Sequence, residues 1–289
     1  MAQRRRAAVA GSFYPSGRRE CERQIAECVA FDASVLRLPE VPAGGVVPHA
    51  GWVFSGFTAG KVFAAIRERS MPATFVLFGA VHRYGVDAPA LMDEGVWETP
   101  LGDLEVCGET ASAIKERAGG LVEVNPRAHE GEHSIEVQAP FIKYLFPGAR
   151  IVPILAPPVE ASVEAGKAVG EVVKDNGGRA VALGSTDLTH YGHEYGFAPK
   201  GTGEEGLKWV REVNDRRMIE LMTTLRADEI LAEAARSHNA CGAGAVAATA
   251  AAMRACGRTS GTPIEYTTSH DVMPERKASM FVGYAGILY

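Results

Sequence analysis

Several apolar runs in this chain end in residues that bind metal ions or move protons. Gly45-Val46-Val47-Pro48 leads into His49, and Phe75 through Val81 leads into His82. Ala180 through Ser185 leads into Thr186-Asp187-Leu188-Thr189-His190. Open parallel sheets bind ligands beyond the carboxyl ends of their strands. Imidazoles and a carboxylate delivered there into one crevice point to a metal site. Cys241 is the other group of interest. It lies at the start of an alanine-rich helix expected over 240–255, just before Gly242-Ala243-Gly244. A helix N-terminus stabilises thiolate, which ligates metal or acts as a nucleophile. The glycines suggest a close backbone approach. The bland alternative is a small residue packing a glycine-rich helix start.

His190 reads as a general acid/base and is preferred over His193. Asp187 is then a ligand or the carboxylate that orients it. The alternative for this pair is an N-cap aspartate and a helix-start histidine. Glu132-His133-Ser134-Ile135-Glu136 reads as an active-site wall in which His133 orients another group or touches substrate. It lacks the second histidine of a zinc HExxH helix, and helix-start polarity explains it equally well. His129 and His270 are weaker candidates. The loop Trp97 to Gly102 either covers the site or simply packs.

These groups need elements to hold them. Apolar spacing predicts helices over 18–30, 56–70, 108–118, 134–146, 159–174 and 240–255, with Pro140 a warning against a straight one. One or two more fall in 205–235, with Asp228 as an N-cap. Strands are expected over 45–48, 74–81, 150–155, 180–184, 264–268 and 280–288, with a short one at 122–124. Alternation of the two types argues an α/β fold with a largely parallel sheet. No Pro/Gly/Ser linker divides the chain, so residues 1–289 are read as a single domain.

A length of 289 residues with 46% hydrophobic side chains supports a large core without disulfides. The net charge of -5 argues against nucleic acid as a partner. Arg4-Arg5-Arg6 reads as a solvated basic tail. No apolar stretch reaches the roughly 18 residues of a membrane span, and Ala7 to Ala10 is too short for a secretory segment. No membrane association is expected. The 5 cysteines are odd in number and lack CxxC spacing, which fits a reduced, cytoplasmic location.

The ordered set Ala10-Gly11-Ser12-Phe13-Tyr14-Pro15, Pro48-His49-Ala50-Gly51-Trp52, Thr99-Pro100-Leu101-Gly102-Asp103, Glu132-His133-Ser134-Ile135-Glu136, Ser185-Thr186-Asp187 with His190, and Ala240-Cys241-Gly242 resembles the Memo family, also called AmmeMemoRadiSam system protein B. The resemblance covers essentially the whole chain. It implies a class III extradiol dioxygenase-like (LigB-like) fold, with a mainly parallel central sheet flanked by helices. Those dioxygenases hold iron(II) with two histidines and a glutamate. By resemblance His49 and His82 match the histidine ligands, Cys241 stands where the glutamate would be, and His190 matches the acid/base histidine. Asp187 is a site carboxylate in the Memo pattern. A thiolate is softer than a carboxylate and widens the metal choice from iron to copper or zinc. The resemblance also implies radical S-adenosylmethionine and AmmeCR1-like proteins as pathway partners.

The leading expectation is an iron- or copper-dependent oxidoreductase of the extradiol type, with O₂ and a small-molecule or peptide ligand in the metal crevice. The residues leave open a non-catalytic metal- or peptide-binding protein that keeps the fold. They also leave open a zinc hydrolase and, less well, a thiol nucleophile with a histidine base.

Overall fold

The computed structural model describes residues 3–32, 36–274 and 277–289. Its centre is built from strands that are apolar on both faces. They are β2 (Gly44–Val47), β3 (Thr74–Gly79), β8 (Arg150–Leu155) and β9 (Ala180–Ser185). They pair in parallel in the order β2-β9-β3-β8. Alternate residues of a strand point to opposite faces, and the core divides accordingly. Val76, Phe78, Val152, Ile154, Ala180 and Ala182 join one apolar layer. Phe75, Leu77, Ile151, Leu155, Val181 and Leu183 join the other.

The first layer is covered by α3 (Gly108–Ala118), α5 (Glu160–Asp175), α7 (Asp215–Thr223), α8 (Ala227–Ser237) and α9 (Ala243–Ala255), through Ile114, Val169, Met222, Ile230 and Val246. The second is covered by α1 (Arg18–Cys28), α2 (Trp52–Arg69) and α4 (Ala139–Leu145), through Ile25, Phe63 and Phe141. Each fully buried Phe or Leu of this kind stabilises the fold by about 1.5–3 kcal/mol. The closest helix contact is between α5 and α9. A Cβ on Gly166 or Gly170 would stand 2.2 Å and 2.1 Å from the Ala248 and Ala252 carbonyl oxygens. Only glycine lets the two backbones approach so near.

The sheet is parallel at its centre, as expected, and its flanks add antiparallel pairs. On one side β12 (Phe281–Leu288) runs antiparallel to β2 and pairs with β10 (His190–Tyr191) and β11 (Thr262–Thr268). Among the described residues, one helical turn, α10 (Ser269–Val272), lies between β11 and β12. On the other side β4 (Ala90–Leu91) is antiparallel to β8 and parallel to β7 (Glu123–Val124). A small separate sheet joins β1 (Arg4–Arg5), β5 (Val96–Trp97) and β6 (Leu104–Glu105).

Other local expectations also shift. The helix expected from residue 56 begins at Trp52, right after Gly51. The helix expected over 134–146 is a 3₁₀ turn, Glu136–Gln138, followed by α4. Pro140 falls in the first turn of α4, where its missing N–H has no intrahelical partner to lose. The stretch 205–235 holds α6 (Glu204–Trp209), a π-helical turn Val210–Asn214, α7 and α8. Asp228 lies inside α8, and Arg226 takes the N-cap position.

Arg4-Arg5-Arg6 is not a solvated tail. Arg5 is buried, is paired with buried Glu136, and lies 4.4 Å over the Trp97 ring. Trp97 is fully buried in β5, so it packs and does not cover the crevice.

Candidate metal centre

Register brings the site residues to one level. Val47 pairs with Ser185, and Phe78 pairs with Gly184, so β2, β9 and β3 end together. Just beyond these ends stand His49, Asp187 and His82. They share a cavity of about 370 Å³ with His133, His190, Tyr195 and Tyr284.

Each histidine is held from behind. The His49 Nδ1 lies 2.9 Å from Ser185 Oγ, and that hydroxyl donates its proton to the Ser134 carbonyl. Ser185 therefore accepts, so His49 carries its proton on Nδ1 and keeps the Nε2 lone pair free. Burial, then the neighbouring His82 and His133, hold the His49 pKa well below the usual value. It is a neutral imidazole near pH 7, with Nε2 free to bind a metal ion.

The His82 Nδ1 donates to Glu132 Oε1 at 3.0 Å, and its backbone N–H donates to Glu132 Oε2 at 2.9 Å. Burial opposes charge on His82, but the hydrogen bond and charge of Glu132 outweigh it and raise its pKa. Burial likewise opposes ionisation of Glu132. Its bonds from His82 and the Ser134 N–H still hold it below the ordinary carboxylate range. A carboxylate behind an imidazole is the arrangement that orients metal-binding histidines and raises their basicity. His190 Nδ1 donates to the Leu188 carbonyl at 3.1 Å, which leaves its Nε2 as a proton acceptor. Burial keeps its pKa low, so it is ready as a base.

Cys241 is tied to the same place by reciprocal bonds. Its N–H donates to the Asp187 carbonyl, and the Asp187 N–H donates to its Sγ at 3.3 Å. Its Sγ lies 3.1 Å from His49 Nε2. Gly242 lets this approach happen, since a Cβ there would stand 2.2 Å from the Ser185 carbonyl oxygen. The expectation of a helix-stabilised thiolate is not met. α9 begins at Ala243 with Gly242 as its N-cap, so Cys241 lies outside the helix. Burial, then the Asp187 charge, push the thiol pKa well above its ordinary range. A metal ion would have to displace that proton. Asp187 accepts the His49 N–H at 2.7 Å, yet burial pushes its carboxyl up to about 7.

Two groups of potential ligands result, and His49 belongs to both. His49, His82 and His133 offer ligand atoms within 4.8 Å of one another, and so do His49, Asp187 and Cys241. Imidazole and thiolate bind such ions at about 2.0–2.3 Å, so paired ligands stand at most about 4.4 Å apart. The pair His49 and Cys241 meets this as it stands. The donor set of imidazole, thiolate and carboxylate suits iron, copper or zinc.

Comparison with known proteins identifies the family. A MEMO1 family protein of Thermococcus onnurineus is 37% identical over 290 residues, covering 98% of both chains. One from Pyrococcus horikoshii is 37% identical over 294 residues, covering 99% of both. One from Methanopyrus kandleri is 35% identical, covering 98% of this chain and 97% of its own. The sequence profile described as "Memo-like protein" matches residues 5–288. The chain belongs to the Memo family.

In this Memo-family site the structure gathers the residues singled out from sequence, but not as one trio. His82 stacks on His133 with ring centroids 4.6 Å apart, whereas Cys241 sits with Asp187 on the other side of His49. His129 lies elsewhere, buried with Nε2 on the Ala90 carbonyl and its ring edge on Trp97. Sequence reasoning missed Tyr284, which an apolar strand conceals. It also missed Tyr195, whose ring meets His190 edge-on at 5.1 Å. Among the described residues, no helix is long and apolar enough to cross a membrane.

Proposed function

We propose that this Memo-family protein holds one redox-active metal ion, iron in the first instance, between His49 and His82, with Cys241 closing from the far side of His49 as the ion binds, in an extradiol dioxygenase-like (LigB-like) fold. The observation that carries this reading is that His49 and His82 each have Nδ1 tied back, leaving Nε2 lone pairs beyond the ends of β2 and β3, which flank β9. When bound, such an ion supplies Lewis acidity and O₂-linked redox chemistry. The chain's own residues do the rest. His190 accepts a proton at Nε2 from a hydroxyl of a catechol-like substrate. Asp187 holds the His49 backbone in place. Phe13 and His133 wall the cavity on one side, their rings 4.9 Å apart, and restrict water.

A second reading, metal binding without turnover, draws on the His49, Asp187 and Cys241 group. Its imidazole, carboxylate and thiolate are a donor set that zinc accepts without redox chemistry.

The test is metal analysis of protein purified without air, followed by oxygen uptake with ortho-diphenols. About one iron per chain with oxygen uptake is expected, and His49→Ala, His82→Ala and Cys241→Ala should each lose the metal. Retention of metal in all three variants would sink the site. Stoichiometric zinc without oxygen uptake would favour the second reading.

A further inference from the structure

The cavity continues past its own wall. A second hollow of about 390 Å³ shares Phe54, Ser269 and Met280 with it, and runs on to His270, Met273 and Pro274. Its lining is mostly apolar. Met273 is 54% exposed and Met280 40%. The adjoining α10 and α2 expose Val272, Val53 and Phe57. Grouped exposure of large apolar side chains marks a binding surface. Methionine in particular adapts to varied apolar ligands. Among the described residues, the nearby charged side chains Lys61 and Glu265, and Arg211 and Asp271, are paired with each other. The described lining of the hollow carries no charged side chain.

We propose that the ligand of the metal cavity is an elongated small molecule. Its oxygen-bearing head lies among His49, His82 and His190, and its uncharged alkyl or aryl tail lies over Phe54, Met280 and Met273. This rests on the metal-site reading for the head alone. Shared walls are the reason to assign the second hollow to the same molecule. Phe54 and Met280 face both spaces, so a group seated at the head can extend directly into the tail hollow.

The test compares catechol with 4-hexylcatechol, by calorimetry without air, on metal-free and iron(II)-loaded protein. Each buried methylene strengthens binding about fourfold. The hexyl probe should therefore bind at least about tenfold tighter than catechol in both forms of the protein. Met273→Asp, at an exposed position outside the head cavity, should remove most of that gain and leave catechol affinity unchanged. Iron that strengthens catechol while the hexyl chain adds nothing overturns the tail proposal and spares the metal reading. A hexyl gain with no iron effect on catechol does the reverse. A hexyl gain undiminished in Met273→Asp also overturns the proposal.

Discussion

Among the site's histidines, His82 is more open to solvent than His49 or His133, its side chain 32% accessible. Its orientation therefore depends on Glu132, which takes both its backbone N–H and its Nδ1 proton. Glu132→Gln keeps the shape but offers one acceptor and an amide that repels a neighbouring N–H donor. Metal affinity should fall about 10–100-fold, as for other lost partners of ligating histidines. Competition against a chromophoric chelator measures it, with circular dichroism to check the fold. Unchanged affinity would mean that His82 is not a ligand. The ligand candidates were legible because their types coincide with strand ends. The role of Glu132 was not. It lies 50 residues from His82 in sequence, and local spacing cannot report a contact made by folding. Arg5 misled for the same reason, since a triplet of arginines reads as solvated until the buried Glu136 appears opposite it.

At the scale of elements, the site depends on how closely α9 can be set against the sheet and against α5. Gly242 and Gly170 both make such contacts, but at different distances from the chemistry. Gly242→Ala drives a methyl into the Ser185 carbonyl, and Ser185 is the residue that fixes the His49 tautomer. Gly170→Ala drives one into the Ala252 carbonyl, on the face between helices. Each should destabilise by about 1–3 kcal/mol or more through overpacking, read by urea unfolding. Gly242→Ala should also weaken metal binding, whereas Gly170→Ala should leave it unchanged in the folded protein. Equal affinities in both would show that the start of α9 does not position Cys241. The existence of α3, α5 and β8 was readable from period and composition. The parallel direction of the central strands was readable too, but the antiparallel run of β12 was not, because a strand buried on both faces has the near-continuous apolar pattern of a parallel one. The late start of α9 escaped because alanine propensity extends back to Ala240, while the geometry of Gly242 ends the helix.

Across the whole molecule, the N-terminal segment closes one side of the cavity from a distance. Arg5 pairs with Glu136, 131 positions away, and also donates to the backbone carbonyls of Arg6, His129 and Glu132. Glu136 in turn accepts the N–H groups of Ala8 and Val9 and the Tyr14 hydroxyl. The segment so anchored presents Phe13, whose carbonyl accepts the Trp52 N–H and whose ring meets His133. Removing one partner of a buried ion pair leaves the other charged and dry, at a cost of about 3–5 kcal/mol. Arg5→Ala should destabilise by about that amount in urea unfolding. Lysine cannot replace the fork, because one ammonium cannot reach acceptors on both sides of a planar guanidinium, so Arg5→Lys should recover only part of the loss. The decisive measurement is amide hydrogen exchange. If Arg5 anchors the segment, Ala8, Val9 and Trp52 should exchange faster in Arg5→Ala while the amides of β3 and β9 stay protected. Uniform loss of protection would instead make Arg5 a contributor to global stability alone, with no separate part in holding the cavity wall.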